Sequence, residues 1–279
     1  MKENNKIPIN KNENLSKIDN KFKELKNNNK LALMPFIMAG DPNIEKTSDI
    51  LLKLQEKGAD LIELGIPYSD PLADGPIIQL SASRALKSGT TPKKVIKLLE
   101  SLEGKLNIPI ILFTYFNPLL SFGFEEFCKM ASSAGVSGLI IPDLPLEEAY
   151  KFSKVVATYY MDLILLVAPT TPFERMKTIS NNTRGFTYLV SVTGVTGERN
   201  NMENRVENLI TELKEISQNP VAVGFGISSP QHVNKVREWG ADGVIIGSAF
   251  VKRISSTNEK DVVNKVGNFC KEMRIAADQ

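Results

Sequence analysis

The feature that most restricts this chain is a rhythm of short, continuous apolar runs alternating with longer amphipathic segments. The runs occupy residues 33–39, 61–64, 108–115, 138–142, 163–168, 186–190, 221–224 and 243–246. A strand with one wet face alternates apolar and polar residues. A run that is apolar throughout fits a strand buried on both faces, as in a parallel sheet covered by helices. The segments between the runs, 45–57, 92–102, 125–134, 147–158, 173–180, 205–217, 231–239 and 260–273, read as helices. Thr91-Pro92, Thr171-Pro172 and Ser229-Pro230 each set a capping hydroxyl before a helix-opening proline. Gly58, Gly135 and Gly240 stand where helices should stop. Eight strand–helix units in series predict an α/β fold of the (β/α)8 TIM-barrel type. An open doubly wound sheet is the alternative, but Ala39-Gly40-Asp41-Pro42 does not supply its glycine fingerprint after the first strand.

At 279 residues the chain fits one such barrel. Residues 1–14, rich in Asn and Lys without an apolar centre, read as a disordered tail, leaving 15–279 as one catalytic domain. Leu15, Ile18, Phe22 and Leu25 then form an apolar stripe at helical spacing, closed by Asn27-Asn28-Asn29, which predicts an extra N-terminal helix. No apolar run approaches the roughly 18 residues of a membrane span. The N-terminus resembles neither a secretory signal nor a transit peptide, so a cytoplasmic protein, or a plastid-encoded one of the stroma, is expected.

Other chemistry is excluded early. A formal net charge of +2 gives no electrostatic case for nucleic acid or membrane partners. His232 is the one histidine, so a multi-histidine metal site is impossible, and no GxSxG-type serine is near it to build a triad. It reads as a surface helix residue. Cys128 and Cys270, far apart in sequence, read as ordinary reduced thiols.

In barrels of this type the active site lies at the C-terminal strand ends and the loops after them. Glu63 sits inside an apolar run, where a carboxylate is costly to bury. Residues 66–76 follow as a non-helical stretch dense in Pro and Gly, containing Asp70 and Asp74. Glu63 from a strand end and Asp74 from the loop can face one pocket and divide acid and base roles. Taken singly, each also reads as structural, Glu63 as a salt-bridged core residue and Asp74 or Asp70 as a turn cap. Three glycine-rich loops follow the last three runs: 191–197, with Thr196 and Gly197; 224–228, with Phe225 and Gly226; and Gly247-Ser248-Ala249. Glycines let backbone N–H groups and a helix N-terminus converge on an anion, so phosphate binding is expected there. Phe36, Leu112, Tyr188 and Phe225 at strand ends read either as plain barrel core or as walls for a flat apolar ligand.

Residues 35–42, 63–76, 191–197 and 224–228 together resemble the α subunit of tryptophan synthase, over nearly the whole chain from about residue 15 onward. The resemblance implies retro-aldol cleavage of indole-3-glycerol phosphate to indole and glyceraldehyde 3-phosphate. It implies Glu63 as the acid–base residue at indole C3 and at the glycerol hydroxyl, and Asp74 as the carboxylate that holds the indole N–H. Tyr188 matches a pocket tyrosine, Gly197, Gly226, Gly247 and Ser248 match phosphate contacts, and the N-terminal helix would cap the bottom of the barrel. A β subunit carrying pyridoxal phosphate would receive the indole in an α2β2 heterotetramer. Asp70-Pro71-Leu72 and Asn117-Pro118-Leu119 match partner-facing loops. No cofactor and no metal are implied for this chain. One departure is Val192, where many members carry an arginine. Two rival readings are another sugar-phosphate barrel enzyme and a catalytically weak scaffold that activates a partner. The single histidine argues against metal-dependent epimerases, and the intact Glu63 and Asp74 argue against the scaffold.

Overall fold

The computed structural model describes residues 15–190, 199–224 and 226–279. The first half of the chain runs α1 (Lys17–Asn27), β1 (Ala32–Met38), α2 (Ile44–Glu56), β2 (Ile62–Gly65), α3 (Pro76–Lys87), α4 (Pro92–Ser101), β3 (Ile110–Phe113), α5 (Phe116–Phe122), α6 (Phe124–Ser133) and β4 (Gly138–Ile140). The second half runs α7 (Leu146–Thr158), β5 (Asp162–Ile164), β6 (Leu166–Val167), α8 (Phe173–Asn182), β7 (Thr187–Val190), α9 (Arg199–Ile216), β8 (Val221–Gly224), α10 (Pro230–Glu238), β9 (Gly243–Ile246), α11 (Ser248–Ser255) and α12 (Val262–Asp278).

All eight predicted strand positions form strands. They make one parallel sheet in the order β5-β4-β3-β2-β1-β9-β8-β7-β6. Its two edge strands, β5 and β6, are halves of the fifth apolar run and are separated only by Leu165. The chain itself therefore carries the sheet from one edge to the other, and the nearly closed ring is a TIM barrel, not an open sheet. At the break the Leu165 N–H donates to Thr183 Oγ1 at 2.9 Å, and its carbonyl accepts from Tyr188 N at 3.1 Å. A side-chain hydroxyl replaces one backbone partner, which is why the run divides there.

Strand residues alternate between two layers. Leu33, Ile37, Ile62, Leu64 and Leu112 point outward into the layer shared with the helices. Ala32, Met34, Leu61, Ile111, Ile140, Ile164 and Phe186 point into the barrel. Helix α1 closes the N-terminal end of that interior. Ile18, Phe22 and Leu25 join the inner cluster, and the Phe22 and Phe186 rings lie 5.6 Å apart. Its start is a capping box in which Ser16 Oγ accepts from Asp19 N and Asp19 accepts from Ser16 N.

Thr91 caps α4 as expected, accepting from Lys94 N at 3.3 Å. The other two proposed caps are corrected. Thr171 accepts from Ala168 N in a turn, and α8 opens at Phe173 behind Pro172. Ser229 holds the N-cap position of α10 without a side-chain cap bond. Gly58, Gly135 and Gly240 lie just past helix ends at φ of 94°, 83° and 78°, where a Cβ would be strained. Helices α3, α5 and α11 arise where no helix was read. Exposed His232 accepts from Ser228 N at 3.3 Å, and both cysteines are buried. Among the described residues no helix is long and apolar enough to cross a membrane.

A candidate active site at the barrel mouth

A cavity of about 800 Å³ opens at the C-terminal end of the strands. Strand β2 delivers Glu63 to it. In register, Glu63 pairs with Phe36 on β1 and Ile111 on β3, so its side chain points inward, one layer below the mouth. Glu63 is 1% exposed, and its Oε1 has no hydrogen-bond partner among the described residues. Desolvation disfavours the charged form and pushes its pKa to about 8.

Asp74 reaches the same cavity from the loop before α3, whose helix begins two residues later at Pro76. Burial raises its pKa to about 6, opposed by a hydrogen bond from Tyr115, whose hydroxyl also accepts from Ala73 N at 3.1 Å. The two carboxyls thus lie in one cavity with different proton affinities. Near neutral pH Glu63 carries a proton while Asp74 is mostly ionised, which is the division that acid–base chemistry requires. Buried Tyr188 on β7 lines the same cavity. Desolvation and the charges of Glu63 and Asp74 push its phenol well up, so it stays neutral. Gly224 makes room for that ring, since a Cβ there would overlap it.

The walls are apolar. Phe36 lines the cavity, with Phe113 packed edge-on against it at 5.6 Å. Leu112 is a correction: it faces outward into the helix layer, and its neighbour Phe113 faces the cavity. Strand side chains alternate faces, so a one-residue misjudgement moves a side chain to the other layer. The strand pairing Glu63↔Ile111 decides it, because Phe113 lies two residues on and shares the inward face.

The opposite end of the cavity carries Gly226, at φ 36°, with Gly247 and Ser248. Gly247 is the N-cap of α11 and supplies no side chain; its carbonyl accepts from Phe250 N and Val251 N, and Ser248 and Ala249 at the helix start line the cavity. This short helix after the last strand is the part of the glycine-loop reading that the sequence left out. Thr196, Gly197 and Phe225, with the departure at Val192, lie outside the described residues, as does the 1–14 tail. No group of three or more His, Cys, Asp or Glu side chains among the described residues could hold a metal ion.

The two segments expected to face a partner meet beside the mouth. Asn117 Nδ2 donates to Tyr68 Oη at 3.0 Å, linking the strand-three side to the loop carrying Asp70, Pro71 and Leu72. Asp70 and Asn117 are exposed, Pro71 and Pro118 half-buried, and Leu72 is 83% exposed. Asn117 and Pro118 are not loop residues. They form the first turn of α5, which buries Leu119 and leaves Leu120 exposed.

The comparisons with known proteins agree with this geometry. The family model described as tryptophan synthase alpha chain matches residues 22–278. A tryptophan synthase alpha chain from Prochlorococcus marinus subsp. pastoris is 81% identical over 279 residues, covering 100% of both chains. The one from Synechococcus elongatus is 49% identical over 265 residues, 95% of this chain and 98% of that one. A crystal structure of tryptophan synthase subunit alpha from Legionella pneumophila superposes with a TM-score of 0.86 at 36% identity, covering 95% of this chain and 99% of that one. With the barrel, the paired carboxyls and these relatives in agreement, the chain belongs to the tryptophan synthase alpha chain family.

Proposed function

We propose that the mouth of this barrel performs the family's reaction with Glu63 as proton donor and acceptor and Asp74 as the carboxylate facing the indole nitrogen. As a member of the family the chain is a lyase that cleaves indole-3-glycerol phosphate. The observation that carries the residue assignment is the pair of carboxyls in one cavity with pKa values pushed to about 8 and about 6. Protonated Glu63 delivers its proton to C3 of the indole ring, and positive charge develops at the ring nitrogen. Ionised Asp74 accepts the indole N–H and stabilises that charge. The resulting Glu63 carboxylate takes the proton of the adjacent glycerol hydroxyl. The bond between C3 and the side chain then breaks, its electrons return to the ring, and indole and glyceraldehyde 3-phosphate form. Glu63 ends protonated, so the cycle balances.

The apolar walls suit the ring, and neutral Tyr188 keeps a phenolic donor beside both carboxyls. Thr196, Gly197 and Phe225 are assigned with Gly226, Gly247 and Ser248 to the phosphate and ring contacts, and Phe36 and Tyr188 to the ring pocket. Leu112 is excluded from that set by its outward side chain. Asp70, Pro71, Leu72, Asn117 and Pro118 are assigned to a β subunit that carries pyridoxal phosphate, in an α2β2 complex. The exposed Leu72 and Leu120 beside the mouth support an apolar contact there. The Prochlorococcus and Synechococcus relatives favour a bacterial cytoplasm over a plastid stroma.

The test measures indole release from indole-3-glycerol phosphate by the full chain, with and without a β subunit, for wild type and Glu63→Gln. Activity that rises with the partner and disappears in Glu63→Gln supports the reading. A folded protein that releases no indole in either condition defeats it.

A further inference from the structure

The loop that carries Asp74 is held from a distance. Asp74 N–H donates to Pro71 O at 3.1 Å and Gln79 Nε2 donates to Asp74 O at 2.8 Å, so the residue moves with the first turn of α3. That helix packs on the barrel through one small apolar cluster, Ile78, Ala82 and Ala85 with Phe36, Met38 and Val251. Its buried side chains are Ile78, Ser81, Ala82 and Ala85, a nearly flat face, while Leu80 points to solvent. A face built mostly of small side chains offers few ridges to fix a helix along its axis.

A polar clamp adds to that packing. Asp41, buried just after β1, accepts from Ser81 Oγ, from Arg84 Nε at 2.9 Å and from Arg84 Nη2 at 2.6 Å. Ser88 Oγ adds a bond to Gly40 O at 3.0 Å. A guanidinium fork on a carboxylate accepts one orientation. An ion pair with one partner buried and the other partly exposed is a weak source of net stability. What it supplies here is direction. Arg84 lies about 12 Å along the axis from Pro76, at 1.5 Å per residue. The clamp also ties α3 to β1, the strand whose Phe36 is in register with Glu63.

We propose that Asp41, through Ser81 and Arg84, is a positioning residue that sets the axial place of α3 and so presents Asp74 to the indole nitrogen. One strand, β1, then serves as the common reference for both carboxyls. The inference rests on the role given to Asp74 above.

It is tested on the full chain by calorimetric binding of two unreactive ligands. One is indole-3-glycerol phosphate without its two side-chain hydroxyls, and the other is the same molecule with the ring N–H replaced by oxygen. In wild type the N–H ligand should bind about tenfold more tightly, the size of one hydrogen bond to a charged group. Arg84→Gln and Asp41→Asn should bring that ratio close to one and leave the affinity of the oxygen ligand within about twofold. Arg84 is partly exposed, so its variant reports even where Asp41→Asn fails to fold. A ratio lost in Asp74→Ala but kept in Arg84→Gln overturns the positioning role alone. So does an equal loss of affinity for both ligands in Arg84→Gln. A ratio unchanged in Asp74→Ala removes the role of Asp74 and the clamp with it.

Discussion

Two pairs of carboxyls, one toward each end of this barrel, are buried in opposite ways. At the N-terminal end Asp60 lies against Arg274 at 2.5 Å and accepts from Leu33 N at 2.8 Å, while Asp162 lies 3.3 Å from Arg184. Helix α1 seals that end. At the C-terminal end Glu63 and Asp74 have no cationic partner among the described residues and face a cavity of about 800 Å³. Burial raises the pKa at both ends: Asp162 is pushed to about 6 despite its arginine, as is Asp74. A perturbed pKa therefore does not by itself mark the working end. What separates the two pairs is an arginine beside each carboxyl and a sealed end for one, and an open cavity without a cation for the other; an unpartnered oxygen does not, since Asp162 Oδ2 lacks a partner as Glu63 Oε1 does.

The largest expected effects break this comparison from both sides. Glu63→Gln should lower kcat/KM by about 10²–10⁴, the range of a general acid–base residue, as read from initial rates of indole release. Phe22→Ala should remove about 3–5 kcal/mol of stability by opening a cavity under the barrel, with kcat/KM little changed, as read from urea unfolding and the same assay. A large rate loss in Phe22→Ala would show that the two ends are coupled.

Next in size is the effect of Glu63 on stability. Its folded pKa, about 8, lies above the ordinary 4.5, so the protein favours the protonated form. The stability contribution is full below the unfolded value and is lost as pH rises through 4.5 toward 8. Glu63→Gln should therefore unfold at the higher temperature, by a margin that grows from pH 4.5 to pH 8 and amounts to a few kcal/mol. A margin independent of pH would mean that Glu63 is not buried as a neutral acid. Asp74→Asn should cost about 10²-fold in kcat/KM, the scale of one lost electrostatic stabiliser.

The smallest effect sharpens the assignment of roles. With Asp74 ionised above about 6 and Glu63 protonated below about 8, kcat/KM should be bell-shaped between those limbs. In Asp74→Asn the acid limb should vanish and the alkaline limb remain. The opposite pattern would exchange the two roles.

Much of this was legible in the chain because period and punctuation act locally. Continuous apolar runs placed all eight strand positions, glycines marked helix ends, and the stripe of Ile18, Phe22 and Leu25 foretold α1. Glu63 and Asp74 stood out because a carboxylate in an apolar strand and another in a Pro/Gly loop have no local reason to be there. What the chain did not show were facts of register and three-dimensional approach. Leu112 and Phe113 are both apolar and adjacent, and only strand pairing decides which enters the cavity. Helix α3 buries mostly small residues, α5 buries Leu119 alone, and α11 is only eight residues long although it buries Phe250, Val251 and Ile254, so none offers a long apolar stripe to read. The sequence alone determined a parallel eightfold barrel and its two candidate acids. Only the tertiary structure decided that the acids share one cavity, that their pKa values differ, and that Asp41 grips α3 from 43 residues away from Arg84. Propensity and hydrophobic period act over a few residues, whereas desolvation and side-chain approach depend on segments that folding brings together.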